Sequence, residues 1–293
     1  MMTNNLSIPN VTTFFDDDSN TFSYVVQDPS SSSCAIVDSV MDFDYASGGT
    51  FYTSADKIIE YVEANDLKVE WIIETHVHAD HLSAAPYLQE KLGGQIGIGK
   101  HITTVQDTFS KVFNEGDDFK HDGSQFDYLF SDGEQYKVGS MECVAMHTPG
   151  HTPACFTHTL GDAVFVGDTL FMPDAGTARA DFPGGDAGTL FDSVQKILAL
   201  PDDHRIFMCH DYAPNGRELM HETTVKEQRE ENIHVKSGIS RETFVELREK
   251  RDRTLSMPRL ILPSLQVNMR AGHAPEPEDN GLSYIKIPLN AFK

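Results

Sequence analysis

Apolar positions along the chain arrive in short runs that switch between a period of two and a period near 3.6. Phe22-Ser23-Tyr24-Val25-Val26 and Cys34-Ala35-Ile36-Val37-Asp38 flank the turn-forming Asp28-Pro29-Ser30-Ser31-Ser32, which predicts an antiparallel hairpin. Ser54 is placed to cap a helix in which Ile58, Ile59 and Val62 share a face. The apolar run 69–74 then predicts a buried strand, 82–92 a helix, 95–99 a strand and 102–113 another helix. Such alternation predicts an α/β protein with helices covering a sheet.

Strand patterns return at 126–130, 136–138, 141–146, 155–160 and 163–166, with Gly161-Asp162 as the turn between the last two. Phe191, Val194, Ile197 and Leu198 give a helical face that ends before Pro201, and 205–209 reads as a further strand. Two charged, helix-compatible stretches follow, 222–234 and 241–255, where Phe244, Leu247 and Leu255 make only a modest stripe and the charges read as a solvated face. The segments 260–268 and 284–289 are too apolar for a free tail and are expected to pack on the sheet or at a subunit interface, which permits a homodimer. The expected organisation is a catalytic core over 1–215 and a helical and extended C-terminal extension over 216–293.

Composition narrows the setting. The 293 residues are 39% hydrophobic, ample for a sizeable core. A formal charge of −22 opposes approach to nucleic acid or an anionic membrane, so neither is an expected partner. Cys34, Cys143, Cys155 and Cys209 form no CxxC pair and are too few for a disulfide scaffold, which fits reduced thiols in a cytoplasm. No basic-then-apolar leader and no run of about 18 apolar residues occurs, so no export or membrane span is expected.

Chemistry concentrates at the ends of the predicted strands. The run 69–74 leads into Thr75-His76-Val77-His78-Ala79-Asp80-His81. Were the strand to continue through His78, His76 and His78 would face the same way, with Asp80 and His81 opening the next helix. Nitrogen and oxygen donors would then converge where a metal is held yet stays open to substrate; the alternative is a polar loop of hydrogen-bonding histidines. The strand 141–146 runs into His147-Thr148-Pro149-Gly150-His151, the strand 163–166 into Gly167-Asp168, and the strand 205–209 into His210-Asp211-Tyr212. A glycine-rich loop, Gly176-Thr177-Ala178-Arg179-Ala180-Asp181-Phe182, carries a single arginine.

Together these motifs resemble the metallo-β-lactamase superfamily over roughly residues 12–215. The resemblance implies an αββα sandwich with metal at one edge. Within it, the Arg179 loop, His210-Asp211-Tyr212 and the tail from Leu262 to Gly272 resemble the persulfide dioxygenases of the longer bacterial type. That likeness implies one Fe(II) per chain on His76, His151 and Asp168, with Arg179 and Tyr212 binding glutathione persulfide, which O2 oxidises to sulfite and glutathione. An ordinary ion pair for Arg179 and core packing for Tyr212 are the simpler readings. Under this reading His78, Asp80, His81 and His210 support the ligands from outside. The alternative is a dinuclear Zn thioester hydrolase resembling glyoxalase II, with His76, His78 and His151 on one zinc and Asp80, His81, Asp168 and His210 on the other. A non-catalytic redox or sulfide sensor is a third possibility, to which the cysteines lend little support.

Overall fold

A computed structural model describes residues 7–291. In its first half the chain forms β1 (Asn10–Asp16), β2 (Thr21–Gln27), β3 (Ser33–Val37), β4 (Val40–Asp44), β5 (Gly49–Phe51), α1 (Thr53–Ala64), β6 (Lys68–Glu74), β7 (Leu82–Ser83), α2 (Ala85–Leu92), β8 (Gln95–Gly99), α3 (Ile102–Phe113) and β9 (Tyr128–Phe130). The second half adds β10 (Glu134–Val138), β11 (Met141–His147), β12 (Phe156–Leu160), β13 (Ala163–Phe165), α4 (Ala187–Leu198), β14 (Arg205–Phe207), β15 (Glu222–Thr224), α5 (Val225–Glu231), α6 (Arg241–Asp252) and α7 (Ile261–Asn268).

Two six-stranded sheets result, ordered β1-β2-β3-β6-β8-β9 and β10-β11-β12-β13-β14-β15, with a small β5-β4-β7 sheet beside them. Strand alternation decides the layers. Phe22, Tyr24, Val26, Ala35 and Val37 meet Met141, Cys143, Ala145, Phe156 and Phe165 between the sheets. Val25, Cys34 and Ile36 point the other way, into a core closed by α1, α2, α3 and α7. Val164, Val166 and Ile206 do the same on the far side, beneath α4 and Phe244 of α6. The expected αββα sandwich is what the chain builds, and the Tyr24 hydroxyl, 2.5 Å from the Met208 carbonyl, ties one sheet to the other.

Local expectations fail in four places, each for a tertiary reason. Ser54 does not cap α1, which is preceded by Tyr52; its amide and hydroxyl donate to Asp42 instead. β6 stops at Glu74 because the Thr75 amide and hydroxyl both donate to Asp38, so His76 and His78 lie in a loop and not on a strand. Leu82 and Ser83 pair with Met41 and Val40, which delays α2 to Ala85 and leaves Asp80 and His81 short of its start. The charged helices are not merely solvated: Arg248 and Asp252 of α6 and Gln228 of α5 are buried. The apolar tail does pack, α7 lying against β7 and α3 with Leu265 and Val267 in the core, while Leu282, Tyr284, Ile287 and Leu289 stay exposed.

Candidate metal centre

Strands β11, β13 and β14 run in one direction through sheet two, so their carboxyl ends meet at one edge. That edge faces the loop after β6, and the carbonyl of Thr75 accepts from the Phe156 amide at 2.9 Å across the two sheets. Close approach explains two motif glycines. Gly150, at φ +139°, has no room for a Cβ, which would sit 2.3 Å from the Leu190 Cα of α4. Gly167, at φ +50°, would meet the Thr75 hydroxyl at 2.6 Å. Each glycine brings the ligand candidate that follows it, His151 or Asp168, to the edge.

His76, His151 and Asp168 converge, with one donor atom from each lying within 4.8 Å of the others, all three residues buried. Hydrogen bonding decides which imidazole nitrogens point inward. The Thr75 hydroxyl gives its proton to Asp38 at 2.9 Å and therefore accepts from His76 Nδ1 at 3.0 Å. The Arg179 carbonyl can only accept, so His151 Nδ1 donates to it at 2.8 Å. Both rings then present a bare Nε2 to Asp168 Oδ2, at 4.0 and 3.6 Å. Burial, helped by the charge of His78, holds His76 well below the usual imidazole range. Burial opposes ionisation of Asp168, yet His210, His76 and His151 together outweigh it and keep the carboxyl well below its usual range.

The remaining candidates sit around this triad. His78 stands beside it, its Nε2 3.0 Å from Asp38 and 3.3 Å from Glu74 and its Nδ1 without a partner among the described residues. Burial would discharge His78, but Asp38, Cys209 and Glu74 together outweigh it and push it well above its usual range, while against burial His78 in turn holds Asp38 down to about 2. His210 Nε2 lies 3.1 Å from Asp80 and 3.3 Å from Asp168, and Asp80 keeps it well above the usual range against burial. His81 Nδ1 is 3.3 Å from the Thr21 hydroxyl and 3.5 Å from Asp80.

Whether these residues suit a metal is answered by what lacks a hydrogen bond. Asp168 Oδ1, His210 Nε2, His81 Nε2 and His78 Nδ1 are buried without one among the described residues. Unpartnered donor atoms beside two bare Nε2 atoms suit a divalent cation, which would displace the protons that neighbouring carboxylates otherwise hold on His78 and His210.

A cleft of about 690 Å³ opens over Asp168, His151 and Asp80, within the size range of small-molecule sites. Tyr212 lines it, 55% exposed, its ring parallel to His210 and its hydroxyl without a partner among the described residues. Arg179 lines it too, but its guanidinium is already engaged: Nε and Nη2 donate to Asp181 at 2.6 and 2.9 Å, and Nη1 to the Ser256 carbonyl at 2.7 Å. This is the ordinary ion pair that was the simpler reading of Arg179, and what the residue contributes directly here is the carbonyl that orients His151.

Several supporting residues were absent from the sequence reading. Asp38 and Glu74 are carboxylates that end apolar strands, a signal that was available. Asn268 of α7 donates to the His78 and His81 carbonyls at 2.9 and 2.8 Å and accepts from the Ser83 amide at 2.8 Å. From α6, Asp252 accepts from the Ala180 amide at 2.9 Å and Arg248 donates to the Thr177 carbonyl at 2.9 Å. Nothing local marks these three.

Residues 16–210 match the family model of the metallo-beta-lactamase superfamily. The chain is 54% identical to a probable metallo-hydrolase of Burkholderia pseudomallei over 95% of its length and 98% of that protein's. It is 48% identical to Glyoxylase B2 of Dictyostelium discoideum, covering 94% and 95%, and 29% identical to the mitochondrial persulfide dioxygenase ETHE1 of Homo sapiens, covering 88% and 87%. The crystal structure of ETHE1 from Myxococcus xanthus superposes with a TM-score of 0.71 at 28% identity, over 90% of this chain and 100% of that one. Of a beta-lactamase hydrolase-like protein from Agrobacterium fabrum, 52% identical over 98% of this chain, the chain spans 66% of the length.

Proposed function

The chain belongs to the metallo-beta-lactamase superfamily, and we propose that it is a mononuclear Fe(II) persulfide dioxygenase. The reaction takes glutathione persulfide, O2 and water to glutathione, sulfite and two protons. One observation carries this reading: His76, His151 and Asp168 cluster, all three buried, as two imidazoles and one carboxylate. Two imidazoles and a carboxylate are the donor set of non-haem ferrous oxygenases. The fold likeness to ETHE1 at 28% identity supports it. A ferrous ion held there would supply the electrons that activate dioxygen and a seat for a soft sulfur anion.

The chain's own residues do the rest. Thr75 and the Arg179 carbonyl fix both imidazole rings, so no reorganisation is needed when the reactants arrive. Phe171, Phe182 and Ala79 wall the cleft and limit water beside the sulfur, and the unpartnered Tyr212 hydroxyl is free to hydrogen-bond the bound thiol. Holding two reactants side by side can contribute about 7–11 kcal/mol to barrier lowering.

A dinuclear zinc thioester hydrolase is the second reading. It is favoured by the unpartnered buried atoms of His78, His81, His210 and Asp168 and by the hydrolase and glyoxylase names of the 54% and 48% identical relatives. Oxygen uptake on adding glutathione persulfide to anaerobically iron-loaded protein separates the two, with His151→Ala as control. Rapid uptake lost in the control is expected. No uptake at one iron per chain, with hydrolysis of a glutathione thioester by zinc-loaded protein at two zinc per chain, would replace the dioxygenase by the hydrolase.

A further inference from the structure

An anionic thiol has to approach a protein of net charge −22, so its site needs local positive charge. Four arginines and four aspartates line the cleft: Arg179, Arg248, Arg251 and Arg259 against Asp18, Asp80, Asp168 and Asp174. Most of these charges are spent. Arg179 is paired with Asp181, Arg248 with Asp252 and Asp174 with Arg217, while Asp80 and Asp168 face His210. What remains in the lining is Arg251 and Arg259 against the carboxylate of Asp18, with Asp44 outside the cleft near enough to feel the Arg259 charge, and neither arginine side chain has a hydrogen bond or ion pair among the described residues.

Both arginines are exposed, Arg251 in the last turn of α6 and Arg259 in the turn before α7, so they stand on the outer wall of the cleft. The reacting end lies at Asp168. A thiol bound there by sulfur would extend its remainder through the cleft, of which this wall is one side. The wall's charge is felt nearby: His234 is pushed down to about 4, first by burial and then by Arg248 and Arg251.

We propose that Arg251 and Arg259 form the subsite for the backbone carboxylates of a peptide-like thiol substrate, the part expected of Arg179. The assignment rests on a glutathione-derived substrate, and it makes the C-terminal segment the determinant of thiol specificity. A guanidinium left unpaired in a protein with 45 acidic residues is free to bind a ligand carboxylate.

The test is performed on iron-loaded protein, comparing wild type with Arg251→Gln, Arg259→Gln, the double variant and the two Arg→Lys variants. Kinetics with glutathione persulfide are read beside calorimetry with glutathione alone. Each Gln variant is expected to raise KM and the glutathione Kd about tenfold, the effect of one charge-assisted contact worth about 1.4 kcal/mol, with kcat falling far less. The Lys variants recover part of the loss. Added salt weakens binding to the wild type more than to the double variant. Equal KM and Kd in wild type and double variant would overturn the assignment even if oxygen uptake persists, as would wild type that binds no glutathione. A wild type that oxidises no persulfide yet binds glutathione more tightly than the double variant would remove the proposed reaction and keep the arginine subsite.

Discussion

Replacing Asn268 by alanine removes a side chain that touches no candidate ligand through its ring or carboxylate, yet holds the loop that carries them. The Nδ2 group supplies protons to two carbonyls, His78 and His81, and Oδ1 accepts one from the Ser83 amide. Asn268, His78, His81 and Ser83 are all buried, so water does not take over these bonds freely. A buried polar group left unsatisfied costs about 1–3 kcal/mol. With three such groups, and some relaxation of the two carbonyls, the expected loss is about 3–5 kcal/mol of unfolding free energy. The loop 78–81 also loses its tether to α7, so metal affinity should fall by about 10–100-fold, the range for groups that orient ligands from outside. Urea denaturation of the apoprotein measures the first effect, and competition with a chelator at fixed pH measures the second. Asn268→Asp should be no better, because a carboxylate cannot donate to either carbonyl. A loss under 1 kcal/mol with an unchanged metal dissociation constant would refute this account of α7.

Gly150→Ala should destabilise the protein and weaken metal binding together, since a Cβ would collide with the Leu190 backbone and displace His151; a variant with wild-type melting temperature and metal affinity would show that α4 yields without cost. Stability should also fall in acid through His234, whose Nδ1 accepts from the Thr177 amide and whose pKa burial and then Arg248 and Arg251 lower from 6.5 to about 4. Above pH 6.5 both the folded and unfolded chains keep this ring neutral; between 6.5 and 4 only the unfolded chain takes up the proton, costing up to about 1.4 kcal/mol per pH unit. Denaturation curves at several pH values should flatten in His234→Gln, and curves that coincide with the wild type would exclude this origin.

Legibility followed how local each cause was. The strand 95–99 and the helix 102–113 occur with the bounds their periodicity predicts, because burial on one face decides both. The hairpin of β2 and β3 was equally plain. Ligand candidates were readable because each follows an apolar run, so His76, His151 and Asp168 could be picked out although they lie far apart along the chain. Geometry inside the loops was not readable. β6 ends where it does because Asp38, 37 positions earlier, takes the Thr75 amide, and the Arg179 fork is occupied because Asp181 and Ser256 fold against it. The charged stripe of α6 read as solvated since nothing near Arg248 in sequence shows that the Thr177 carbonyl will meet it.

These remote contacts explain why the C-terminal segment and the metal edge should act as one unit. Asp252 of α6 fixes the Ala180 amide, and the neighbouring Arg179 carbonyl fixes the His151 ring. Asn268 of α7 fixes the loop that follows His76. His151 thus takes its orientation, and the loop after His76 its path, from helices far along the chain. The buried pair of Arg248 and Asp252 is stabilising only while both partners are present, and removing one costs about 3–5 kcal/mol because it strands the other charge. Loosening α6 would therefore release the glycine-rich loop, let His151 turn, and uncover the cleft wall that carries Arg251. Metal affinity and thiol recognition would be lost together with the packing of this segment, not after it.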